Sequence, residues 1–394
     1  MPFIYYIAAF LVSYLLFPVV LKAARRYNLV DSPDARKLQT EPVPSMGGIV
    51  VAAGVFIPLL VASLIHRSCG TADCGFGVIT ASELLILAAM LFIGIADDAI
   101  DLSATIRFLV EMILVFLLFT LNYIEPFNGC HYTNPYAPLP VIVLLTIAGV
   151  GIINAVNMID GIDGLSSGFG IMANCIFAYI FFRAGDMGHA FLSGLCAAAL
   201  MPFYLHNVFG KTSKMYIGDG GSLFIGTILV INTFALLFGV QPSAIFLSDM
   251  LQNDAVIIRI ALCIAILCIP VFDTLRVMFD RIFRGIHPFR ADKRHLHHRF
   301  IELGFSHFGA STCIITTNLL IVGIWYICYL LHVPASALIL IVIALGLLST
   351  CGFYYGSQWC ERQRNGFYRL LLRIGESSRV EQTVVWLRMQ RFLD

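Results

Sequence analysis

Charge is scarce in this sequence. Of its 394 residues only 12% are Asp, Glu, Lys or Arg, against ~25% in an average soluble domain. Hydrophobic residues make up 59%, and mean hydropathy is +0.86. So few charges cannot cover a water-facing surface, which excludes a soluble globule and implies an integral membrane protein. A small-residue cleavage site after the first apolar run is also missing, so that run reads as a span rather than a secretory signal. No internal repeat, low-complexity tract or soluble domain is visible. A metal-binding cysteine framework is lacking too. Most of the 11 cysteines sit inside apolar runs as small hydrophobes, and only a Cys69–Cys74 disulfide is conceivable outside them. The net charge of +1 says nothing about partners, and no nucleic-acid ligand is expected.

What is present is apolar length. Runs able to cross about 30 Å of hydrocarbon recur at roughly 3–24, 47–66, 80–96, 106–123, 139–156, 165–183, 189–206, 220–240, 255–278, 312–331 and 335–356. The expected fold is therefore all-α, a polytopic helical bundle of about eleven spans. Alternate loops collect every Lys and Arg except Arg67, Arg183 and Arg259. By the positive-inside rule those loops are cytoplasmic, which places the N-terminus outside and the C-terminus inside. Residues 1–356 would form the membrane domain. Residues 357–394 form a basic, partly amphipathic tail expected along the inner membrane surface.

The unusual polar residues all gather on the cytoplasmic side. IADDAIDL, at 95–102, closes a span with Asp97 and Asp98. Adjacent carboxylates at a helix end repel and lose hydration, so a cation or a shared proton should compensate; an ordinary interfacial cap is the alternative. In NAVNMIDGIDGLSSG, at 154–168, Asn154, Asn157, Asp160 and Asp163 recur every three residues on one helical face. Carboxylates and amides without a basic residue make a hard-oxygen environment suited to Mg²⁺. KMYIGDGGSLFIG, at 214–226, sets Asp219 in a glycine turn opening a span. It reads either as an anion-and-metal site or as a simple turn with an N-cap. Arg36 and Lys37 in the first cytoplasmic loop are phosphate contacts or topology-setting charge.

The last motif is ADKRHLHHRF, at 291–300. A zinc site fits poorly, because no fourth ligand stands at usable spacing and His297 and His298 are neighbours. Arg294, His295, His297, His298 and Arg299 suit hydrogen bonding to phosphate oxygens better. Acidic loops for a metal, basic loops for phosphates and an apolar wall for lipid together point to phosphoryl transfer onto a lipid. A transporter would want carboxylates near the midplane and paired repeats. A non-catalytic scaffold would tolerate substitution of its acids.

Taken in order, DSPDARKLQTEPVPSMGG, DDAIDL, NAVNMIDGIDGL, GDGGS and HPFRADKRHLHHRFIELGFS resemble the motifs of the polyprenyl-phosphate N-acetylhexosamine-1-phosphate transferase family. The likeness covers nearly the whole chain. It implies transfer of a sugar-1-phosphate from a UDP-sugar to undecaprenyl phosphate in a bacterial inner membrane, with the site facing the cytoplasm. UMP is released, Mg²⁺ is used with Mn²⁺ as a substitute, and a cell-surface glycan is begun. Dimers are common in the family. The resemblance implies catalytic roles for Asp97 and Asp98, and metal-binding roles for Asp219 and Asn157. Asp163 and Tyr216 would contact uracil, and Lys37, Asp160, Asn207, Arg294, His295, His297, His298 and Arg299 would complete the substrate site. H-L-H-H-R, rather than a histidine triplet, resembles the branch that uses UDP-GlcNAc; a phospho-MurNAc-pentapeptide transferase is the alternative.

Overall fold

The computed structural model describes residues 3–31, 41–68, 79–123, 139–239, 255–287 and 293–394. The chain is a multi-pass helical bundle. Its long helices are α1 (Phe3–Arg26), α2 (Gly47–Ser68), α3 (Ala81–Ile100), α4 (Ala104–Asn122), α5 (Leu139–Met158), α6 (Leu165–Ala184), α7 (Met187–Phe209) and α8 (Gly218–Phe234). The second half holds α9 (Ala255–Ile266), α10 (Cys268–Phe283), the short α11 (Leu296–Glu302), α12 (His307–Leu330), α13 (Ala335–Leu347) and α14 (Phe353–Arg362). Tail helices α15 (Gly366–Ser377) and α16 (Val384–Leu393) follow. A two-stranded ribbon, β1 (Val30–Asp31) with β2 (Val43–Pro44), closes the first loop.

Among the described residues nine helices are long and apolar enough to cross a membrane, or ten if one bent pair is a single span. The expected span at 80–96 forms as α3, but Glu83, Asp97 and Asp98 make it too acidic to qualify on apolarity. The expected span at 255–278 is instead two helices, α9 and α10, meeting at a 76° bend. Backbone groups freed by such a break need partners when water is absent. Asn318 of α12 supplies them: its Oδ1 accepts from the Ile269 amide at 2.9 Å, and its Nδ2 donates to the Ile266 carbonyl at 2.8 Å.

At the centre stands α8. A helix apolar on every side belongs in a core, and every residue of α8 is buried except Asp219. Its first turn lies unusually close to α3. A Cβ at Gly94 would stand 2.5 Å from the Gly220 Cα and 2.6 Å from the Asp219 carbonyl carbon. Only glycine permits this backbone approach, and it carries Asp97 and Asp98 to the head of α8. The tail packs against the same end of the bundle, with the Trp386 ring 4.6 Å from Phe209 and 5.6 Å from Phe308, centre to centre.

Candidate active site

Three helix ends converge on Asp219. From α3, the Asp98 carboxylate accepts the Asp219 and Gly220 amides at 3.0 Å each, capping α8. Asp97 pairs with Arg107 at 2.6 Å. That guanidinium also lies 3.6 Å from Asp219 and 3.6 Å from Glu111. From α5, the Asn157 amide donates to Asp219, and Asn154 donates to the fully buried Glu111. Three carboxylates thus share the Arg107 guanidinium, with Asp98 beside them on backbone amides, an arrangement that attracts further positive charge.

Arg107 is the compensating cation that the paired aspartates required, and neither it nor Glu111 stood among the expected site residues. A signal was there: Arg and Glu four residues apart inside an apolar run are neighbours on one helix face.

A second cluster surrounds the 159–164 turn. Asp163 Oδ2 accepts from Lys214 Nζ at 2.6 Å and lies 2.8 Å from His307 Nδ1. Against its burial, these two partners hold the Asp163 carboxyl below the usual range. Burial instead pushes Asp160 up to about 8; the Ser166 hydroxyl donating to it opposes this, while the charges of Asp219 and Asp98 add to it. Asp160 is therefore mostly protonated at neutral pH. Tyr216 lies beside the same cluster, its ring 5.7 Å from Lys214 Nζ. Its backbone bridges to Ser45 and so ties the end of the first loop to the site. Lys214 and His307 were not foreseen, because neither lies in the Asp163 motif.

The histidine motif meets this turn directly. A Cβ at Gly161 would fall 2.2 Å from His297 Nε2, so the absent side chain is what admits the imidazole. The His297 ring packs 5.8 Å from His295 and 4.3 Å from His298. Burial, with His298 and His295 beside it, pushes His297 far below the ordinary imidazole value, so it is neutral. His295 is fixed by Asp273 of α10, whose Oδ2 lies 3.0 Å from the imidazole Nδ1 and accepts the Leu296 amide at 3.0 Å. Arg276 grips the other carboxylate oxygen of Asp273 at 2.6 Å.

The remaining expected residues sit differently. Arg299 is buried away from this face: it donates to Ser357 at 2.8 Å and pairs with Glu302 at 3.0 Å and Glu361 at 2.8 Å. Arg294 pairs with Asp280 at 2.8 Å. Asn207 is a buried brace, accepting the Gly164 amide at 2.7 Å and donating to the Met215 carbonyl at 3.0 Å. Lys37 and Arg36 lie outside the described residues, as do Cys69 and Cys74.

A family model described as glycosyl transferase family 4 matches residues 80–239, the stretch from the head of α3 to the end of α8. The decaprenyl-phosphate N-acetylglucosaminephosphotransferase of Mycolicibacterium smegmatis is 30% identical over 322 residues, 76% of this chain and 75% of that protein. The chain belongs to the polyprenyl-phosphate N-acetylhexosamine-1-phosphate transferase family. Other members are similar along much of their length. The probable undecaprenyl-phosphate N-acetylglucosaminyl 1-phosphate transferase of Bacillus subtilis is 29% identical over 76% of this chain and 78% of its own. The undecaprenyl-phosphate alpha-N-acetylglucosaminyl 1-phosphate transferase of Escherichia coli is 27% identical over 93% of each. Within the family match lie Asp97, Asp98, Arg107, Asn157, Asp163 and Asp219; the histidine motif and the tail lie beyond it.

Proposed function

We propose that this transferase moves N-acetylglucosamine-1-phosphate from UDP-N-acetylglucosamine to undecaprenyl phosphate, releasing UMP, at the inner face of a bacterial plasma membrane. The carrying observation is the juxtaposition at one end of the bundle of an under-neutralised acidic cluster, the Asp163 pocket and a histidine motif packed on Gly161. The names of the relatives support the sugar and the lipid. The charge bias of the loops supports the cytoplasmic orientation.

In the reaction, a phosphate oxygen of the lipid attacks the β-phosphorus of the donor. A new P–O bond forms, the bond to the bridging oxygen breaks, and UMP carries that oxygen away. In this reading Asp97 and Asp98 receive the incoming lipid phosphate at the acidic cluster. Arg107 holds Asp97 in place. His295, neutral His297 and His298 offer hydrogen bonds to the diphosphate, and Asp163 accepts from the uracil.

The residues fit Mg²⁺. Asp219 and Asn157 touch, and exchanging the amide oxygen and nitrogen of Asn157 turns its acceptor toward a cation. Among the described residues no three His, Cys, Asp or Glu side chains converge to hold a metal alone. Mg²⁺ ordinarily takes one or two protein oxygens and completes its shell with water and substrate phosphate. When bound it would neutralise charge developing on the diphosphate.

Purified protein in detergent should release UMP from UDP-N-acetylglucosamine in a manner dependent on both Mg²⁺ and undecaprenyl phosphate. Folded protein that releases no UMP from any UDP-N-acetylhexosamine would defeat this reading.

A further inference from the structure

Beside Asp163 lies a cavity of 430 Å³ whose walls come from four separate stretches of chain. The 159–164 turn contributes Asp163, the end of α7 contributes Val208, the head of α12 contributes His307 and Phe308, and the tail contributes Arg379, Glu381 and Trp386. The volume falls within the ~300–1,000 Å³ of ordinary small-molecule sites. Nothing in the acidic cluster or the histidine motif accounts for the tail's part in it.

The tail is fastened here at several points. The Ser306 amide donates to Ser378 Oγ at 3.2 Å, and Ser306 Oγ donates to the Ser378 carbonyl at 3.0 Å. Arg379 Nε donates to the Gly304 carbonyl at 3.2 Å. Further along, Asp394 Oδ1 accepts the amides of Lys211, Thr212 and Ser213 at 3.0 Å each. Those contacts brace the loop that delivers Lys214 to Asp163. Both partners of the Asp163 carboxylate, Lys214 and His307, are thus adjacent in sequence to positions the tail holds.

Asp163 has acceptor capacity to spare. Its two side-chain partners both take Oδ2, and Oδ1 takes no hydrogen bond among the described residues. A carboxylate oxygen beside an open cavity recognises an N–H donor, such as the imide N–H of uracil. A second carboxylate in the lining, Glu381, suits the hydroxyls of a ribose, which carboxylates recognise elsewhere in nucleotide sites.

We propose that segment 379–386 of the tail is part of the nucleoside subsite. The nucleoside of the donor enters between Asp163 and the tail, Glu381 accepts the ribose hydroxyls, and Trp386 forms the wall. This rests on the reading of Asp163 as the nucleoside contact, and it makes the tail a determinant of donor specificity rather than only a membrane-surface element.

The test uses the full-length protein in detergent, with UDP-N-acetylglucosamine and its 2′-deoxyribose analogue as donors. Glu381→Ala should raise KM for the natural donor about tenfold and leave KM for undecaprenyl phosphate unchanged. The deoxy analogue should cost the wild type about the same factor and cost Glu381→Ala nothing further, which a merely structural role would not produce. Glu381→Gln should retain part of the discrimination, and Trp386→Phe should disturb binding less than Trp386→Ala. Equal discrimination against the analogue by wild type and Glu381→Ala would overturn the proposal, as would a parallel rise in both KM values. Should the wild type release no UMP at all, the proposed reaction fails separately. Calorimetry with UMP then decides the tail's role: weaker binding by Glu381→Ala supports it and equal binding overturns it.

Discussion

The two ends of α3 bury carboxylates in opposite ways. At its first turn Glu83, 1% exposed, accepts the Thr80 amide at 2.8 Å and the Tyr123 hydroxyl, and lies 3.5 Å from His189 Nε2. The other imidazole nitrogen stands 2.7 Å from Asp186. Two acids there share an imidazole, a phenol and a backbone amide in a sealed cluster. At the last turn, Asp97 and Asp98 join Glu111 and Asp219, with Arg107 as the single cation paired to this group among the described residues, and Asp219 stays partly open. A buried acid with a full set of donors belongs to the architecture. A buried group of acids short of cations is prepared to receive one. Burial of charge is common to both ends, so the deficit is what marks the site.

Substitutions at matched positions should break the symmetry between the two ends. The largest effect belongs to Asp219→Asn, expected to lower turnover by about a thousandfold or more while the protein stays folded. Glu83→Gln should leave turnover per folded molecule within about twofold. A UMP-release assay on both, normalised to folded protein, checks this.

The next effect is on stability. Glu83→Ala leaves His189 and Tyr123 without their shared acceptor and should cost about 3–5 kcal/mol, read as a large fall in the unfolding midpoint in detergent. An unchanged midpoint would remove the distinction drawn between the two ends.

Asp273→Asn comes third. It weakens the contact that orients His295 and should raise KM for the donor by about tenfold with a smaller change in kcat. If donor and lipid KM respond equally, Asp273 supports the fold rather than the histidines. The smallest effect is expected from Arg107→Gln. Removing a resident cation lowers repulsion toward Mg²⁺, so half-maximal activity should need up to about tenfold less metal even as maximal turnover falls.

Much of the bundle was legible in hydropathy, because a lipid-facing helix must be apolar along its length. The bend between α9 and α10 was not: both halves are apolar, and the residue that stabilises the break, Asn318, lies in α12, distant in sequence. For the candidate site, composition and spacing singled out Asp97, Asp98, Asn157, Asp163 and Asp219, which the fold brings to one end of the bundle. Arg107 was overlooked because a lone arginine near a span end resembles topology-setting charge until its three carboxylate neighbours are seen. Arg299 and Asn207 show the converse. Arg299 suited phosphate contact by type and Asn207 entered the substrate site by its place in the family pattern, but neither type nor position specifies direction, and their partners Glu361, Gly164 and Met215 appear only in three dimensions.

Mn²⁺ binding to the purified protein in the presence of UMP, followed by electron paramagnetic resonance, tests the central claim most directly. Wild type and Glu83→Gln should bind one ion with equal affinity, and Asp219→Asn should bind it at least about tenfold more weakly. Equal affinity in all three proteins, or a loss confined to Glu83→Gln, would contradict the assignment of the cation-deficient end of α3 as the active site.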